Sequence, residues 1–130
     1  MISEKEIRKY AGMPYSDDFD CADFVVHFVR EFFGKDIWLP GTRPRGEDAD
    51  QHLCEMSKAF GERTDTPQDG DFVLMQNMGD TTPTHGGVYL VLNGEPCVFH
   101  STKKTGGSVI HRLRQLPRIG LKIEGIYKWL

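Results

Sequence analysis

Three side chains carry the chemistry legible in this chain. Cys21 stands in Asp20-Cys21-Ala22-Asp23-Phe24-Val25, His85 opens His85-Gly86-Gly87-Val88-Tyr89-Leu90, and His100 follows Val98-Phe99 and precedes Ser101. A thiol, a base and a group that orients the base are the minimum kit for thiol acyl transfer. The thiolate is the nucleophile, and both helix N-terminal N–H groups and a neighbouring imidazolium stabilise it. In that scheme His85 takes the thiol proton and later returns it to the leaving amine. His100 binds the other ring nitrogen of His85 and fixes its tautomer. The backbone N–H of Cys21 is the expected oxyanion donor, and Tyr15 can assist through its hydroxyl. Asp17, Asp18, Asp20 and Asp23 oppose thiolate formation, since nearby carboxylates raise a thiol pKa. They read either as a site for a cationic substrate group or as a solvated acidic loop.

The elements that must position these groups follow from capping signals and periodicity. Ser3 with Glu6 three residues on predicts a short capped helix to about Tyr10, broken by Gly12-Met13-Pro14. Asp20 is an N-cap for a helix to about Phe33 that Gly34 ends. Phe24, Val25, Phe28 and Phe32 extend an apolar stripe headed by Cys21, so the thiol faces the core layer. Residues 34–46 read as an irregular loop carrying Trp38, and a third helix is expected from about Asp48 to Phe60. Beyond Gly70 the period changes to that of strands: Asp71 to Gln76, His85 to Leu92, Cys97 to Thr102, Ser108 to Leu113 and Leu121 to Trp129. Helices first and strands second predict an α+β fold, with N-terminal helices packed on one face of a mostly antiparallel sheet of five to six strands.

Asn93-Gly94 is a two-residue hairpin signal, and it sets a register. Leu92 then faces Glu95, Gly87 faces His100 and His85 faces Thr102. His85 and His100 share a sheet face as diagonal neighbours, with Cα atoms roughly 7–8 Å apart. Gly87 is expected to leave a gap there into which the end of a helix can come.

Size and composition bound the reading. The 130 residues suit one domain (1–130), with 38% hydrophobic and 27% charged residues and a net charge of -3. That balance argues against nucleic acid or an anionic membrane as partner. Cysteines at 21, 54 and 97 form no C-x-x-C pair, so neither a disulfide framework nor a metal site is expected. Cys54 and Cys97 read as core residues, and His27, His52 and His111 as surface or structural histidines without partners. No cofactor is expected. The N-terminal residues lack the pattern of a secretion signal, and no apolar run approaches the roughly 20 residues of a membrane span. Synthesis in the cytoplasm is the expectation.

Taken in order, these motifs resemble the NlpC-type cell-wall cysteine peptidases, a papain-like family, and especially short forms encoded beside phage tail genes. Gly12-Met13-Pro14-Tyr15 is similar to the family's G-x-P-Y and Asp20-Cys21-Ala22-Asp23-Phe24-Val25 to its D-C-S-G-L-V. Gly70-Asp71-Phe72-Val73 resembles G-D-L-V, His85-Gly86-Gly87-Val88-Tyr89-Leu90 resembles H-V-G-I-Y-L, and Phe99-His100 resembles I-H. The resemblance implies metal-free hydrolysis of peptide bonds in peptidoglycan stems, with Cys21 as nucleophile, His85 as base and His100 as orienting residue. Tyr15 and Asp20 match positions that contact substrate; Asp23 and Ser101 complete the expected substrate-binding set. It further implies delivery by phage tail proteins; cytoplasmic action on recycled cell-wall peptides is the other reading. The chain departs from the pattern at Ala22 and Asp23 and in a short segment between Tyr15 and Cys21, departures that bear on substrate. Two alternatives stay open: a tail-tip binding protein that has lost turnover, and a thiol amidase or acyltransferase on another substrate.

Overall fold

The computed structural model describes residues 2–37, 39, 61–80, 83 and 85–129. The expected third helix, Trp38, His52 and Cys54 lie outside the described residues. Two α-helices, α1 (Glu4–Ile7) and α2 (Cys21–Phe33), precede six strands: β1 (Gly61–Arg63), β2 (Phe72–Asn77), β3 (His85–Leu92), β4 (Glu95–Ser101), β5 (Ser108–Arg112) and β6 (Leu121–Trp129). They form one sheet in the order β1-β6-β2-β3-β4-β5, antiparallel at every pairing. The α+β expectation is met.

α1 is shorter than expected because its last turn tightens into a 3-10 helix at Arg8–Tyr10. α2 has the predicted bounds. Asp20 Oδ1 accepts the N–H groups of Ala22 and Asp23 while Asp23 Oδ2 accepts that of Asp20, a complete capping box. Gly34 closes the helix in the left-handed region at φ 66°. Its apolar stripe lies on the sheet face built by Phe72, Leu74, Val88, Leu90 and Phe99. The rings of Phe24 and Phe28 each stand 4.9 Å from that of Phe99, edge to face. Burying each such ring stabilises the fold by about 1.5–3 kcal/mol, more than the propensity of a thirteen-residue helix supplies.

The opposite face carries no α-helix among the described residues. Instead a 3-10 segment, Leu113–Ile119, delivers Leu116 to a second cluster of Val73, Met75, Tyr89, Val98 and Leu121. Strands buried on both faces explain why β2 and β3 read as near-continuous apolar runs rather than alternating ones. The hairpin register is as predicted: Leu92 pairs with Glu95 and Gly87 with His100, around Asn93 and Gly94 at φ 53° and 77°. β1 was not expected, and β6 lies between it and β2, so the strands are not a simple meander.

Candidate active site

β3 and β4 bring the two histidines into contact. His85 Nε2 lies 2.7 Å from His100 Nδ1, a hydrogen bond between buried rings whose planes stand at 68°. Sheet pairing dictates this meeting. Gly87 sits opposite His100, and a β-carbon there would lie 2.5 Å from Val98 Cγ2 and 3.0 Å from His100 Cβ. The space beside Gly87 is therefore filled by the sheet's own side chains, not left open for the end of a helix as the sequence suggested. Glycine at 87 is what allows His100 and Val98 to stand upright side by side.

A third ring extends the pair. His111 on β5 pairs with Val98, and its Nδ1 lies 2.8 Å from His100 Nε2. His111 read from spacing alone as having no partner; it has one because the β4–β5 register sets it diagonal to His100. Ser101 opposite Ser108 is the only added information that register needs. The result is a line of three imidazoles running from a buried ring to a half-exposed one.

Burial governs the charge of that line. Desolvation lowers the pKa of His85 to about 4. It lowers that of His100 to about 2, with repulsion from His85 and His111 adding to it. His111 is lowered as well, by burial. Burial thus favours the neutral form of all three rings. It works against the imidazolium that the sequence reading assumed.

Cys21 is the first residue of α2 and is buried among the core residues beneath it. The segment that leads into it is stitched to one end of the sheet. Gly12 N–H donates to Ser108 O, Tyr15 N–H to Gly106 O, and Ser108 N–H to Met13 O. Ser108 pairs with Ser101, the residue after His100, so these bonds hold residues 12–15 at the end of the sheet where β3 begins and β4 stops. At the other end of α2, Phe33 packs against Gly70, whose N–H binds Tyr89 O in mid-β3. α2 thus starts toward the histidine end of the sheet and runs away from it.

Of the expected substrate contacts, Asp20 and Asp23 form the capping box described above, and Tyr15 is half-buried beside Gly106. Ser101 is fully buried, and its hydroxyl finds no hydrogen-bond partner among the described residues. Asp17 and Asp18 are exposed. His27 is a structural residue with its ring edge-on to Tyr10 and Phe19. Cys97 is buried, and burial pushes its thiol pKa up, as suits a core cysteine. Among the described residues no cluster of His, Cys, Asp and Glu is arranged to hold a metal ion, and no helix is long and apolar enough to cross a membrane.

The NlpC/P60 family matches residues 8–117, a span that holds Cys21, His85, His100 and His111. The chain belongs to that family. NlpC/P60 proteins are in general cysteine peptidases and amidases that act on peptidoglycan. No curated protein matches the chain, and no solved structure does. Family membership agrees with the resemblance drawn from the motifs and with the α+β architecture.

Proposed function

We propose that residues 1–130 form one cysteine peptidase domain that hydrolyses amide bonds in peptidoglycan stem peptides, with Cys21, His85 and His100 as its catalytic triad. The bond between His85 Nε2 and His100 Nδ1 carries this reading. It occupies one nitrogen of His85 with an orienting partner and leaves Nδ1 as the basic atom, the division of labour a thiol hydrolase needs. The docking of residues 12–15 beside Ser108 supports a thiol at the same end of the sheet.

In this scheme His85 Nδ1 accepts the thiol proton and the sulfur attacks the stem-peptide carbonyl carbon. The oxyanion is met by the N–H of Cys21; the neighbouring N–H groups of Ala22 and Asp23 are engaged by Asp20. Collapse breaks the C–N bond, the amine leaves with the proton from His85, and a thioester remains on Cys21. Water then attacks the thioester, giving its proton to His85, and the carboxylate product and the free thiol are released. Tyr15, Asp20, Asp23 and Ser101 are proposed to contact substrate on the motif resemblance. Association with a phage tail, and action on the wall from there, is proposed on the motif resemblance to short tail-encoded forms.

The test is mass spectrometry of muropeptides after incubation of purified peptidoglycan with the protein and with Cys21→Ala. New amine and carboxyl termini with the wild-type chain alone are expected. Equal cleavage by both, or by neither, sinks the assignment. Binding of wall peptide without new termini points to the tail-tip binding alternative.

A further inference from the structure

The geometry points to His111 as a positioning residue that sets which nitrogen of His85 is basic, acting through His100. This inference rests on the proposed triad but is decided by a separate observable.

Three neutral imidazoles hold three N–H protons, and the line contains two N···N hydrogen bonds, each needing one proton. The third proton must sit at one end. If it sits on the outer nitrogen of His111, then His100 Nε2–H donates to His111 Nδ1 and His85 Nε2–H donates to His100 Nδ1. His85 Nδ1 is then bare and can accept a proton. If the line runs the opposite way, every ring switches tautomer together and His85 Nδ1 carries a proton it cannot use. The tautomers are coupled, so no ring can change alone without breaking a buried bond.

Solvation decides between the two directions. His111 is half-exposed, and its outer N–H can donate to water. His85 is only 7% exposed, so an N–H on its Nδ1 has far less water to donate to. A donor that is poorly solvated is unfavourable, and this favours the direction with the proton outside. His111 therefore acts as the anchor that places the surplus proton at the water end. Two rings without it would lose this bias, since the outer nitrogen of His100 lies within the fold and His100 is 0% exposed.

The test is the 15N spectrum of the imidazole nitrogens in the whole protein, with its kinetics on muropeptide. In the wild type at pH 7, His85 Nδ1 is expected to show the shift of a bare nitrogen and Nε2 that of a protonated one. His111→Leu is expected to mix the two His85 tautomers and lower kcat by about tenfold, with KM within about twofold. His111→Asn, which offers an acceptor oxygen near the lost Nδ1, is expected to restore both. A wild-type His85 protonated at Nδ1 overturns the inference, as does a His111→Leu protein with unaltered His85 shifts. Should the protein not cleave peptidoglycan, the proposed function fails while the nitrogen shifts still decide the role of His111. The wild-type spectrum needs no variant, so a leucine variant that fails to fold leaves the inference open to refutation.

Discussion

Ser108 Oγ donates to the carbonyl oxygen of Tyr10 at 2.6 Å, across 98 residues of sequence. Ser108 Oγ in turn accepts the N–H of Met13 at 2.9 Å. One hydroxyl on β5 thus satisfies two backbone groups of the segment that leads into Cys21. Ser108→Ala is expected to lower stability by about 1–3 kcal/mol, the range for leaving buried polar groups unmet. Urea unfolding measures it, and an unchanged midpoint would show that water replaces the hydroxyl without loss.

Gly87 is expected to tolerate no side chain. A β-carbon there meets Val98 Cγ2 at 2.5 Å and His100 Cβ at 3.0 Å, so Gly87→Ala must displace His100. A loss of about 1–3 kcal/mol is expected from overpacking. Activity should fall further than this loss of folded protein accounts for, because the His85–His100 bond is disturbed. Comparing kcat with folded fraction separates the effects, and full kcat per folded molecule would contradict the catalytic placement of His100.

Stability is expected to fall on acidification below pH 6.5. Burial depresses His85 to about 4 and His100 to about 2 in the folded protein, while the unfolded chain titrates near 6.5. Between these limits the unfolded state binds more protons, so acid favours unfolding. Each ring adds a slope of up to about 1.4 kcal/mol per pH unit. Denaturant midpoints from pH 7 to pH 5 test this, and His85→Gln with His100→Gln should flatten the curve. A wild-type profile as flat as the double variant's would refute the burial argument.

The acid limb of activity should follow His85. With its pKa held near 4 by burial, the base stays neutral well below the ordinary histidine range. The kcat/KM profile for muropeptide cleavage is expected to hold down to about pH 5 and decline toward pH 4. A midpoint near 6.5 would mean that the base is solvated, or that it is not His85.

Much of this site is legible in the sequence because two short signals are nearly unambiguous. Asn93-Gly94 admits one tight turn, and that turn alone brings His85 and His100 to one face. Asp20 and Gly34 bracket α2 by capping chemistry that depends on no distant contact. His111 was hidden because β4 and β5 are joined through residues 102–107, a longer loop closed by Thr102–Thr105 hydrogen bonds. Such a loop sets no register that can be read from residue types. The pairing of Ser101 with Ser108 is instead held by the N-terminal segment, a tertiary contact. β1 has only three residues at the sheet edge, too few for any period to show. The segment Leu113–Ile119 contains Pro117 and reads as a break between strands, although Leu116 closes the second core.

The place of β6 between β1 and β2 has a consequence for biogenesis. Neither neighbour can acquire that partner until residues 121–129 have left the ribosome. Long-range closure of this kind is slow and must wait for β6 to be made. A ribosome stalled before residue 121 should therefore carry a nascent chain whose sheet is incomplete and which proteases degrade readily.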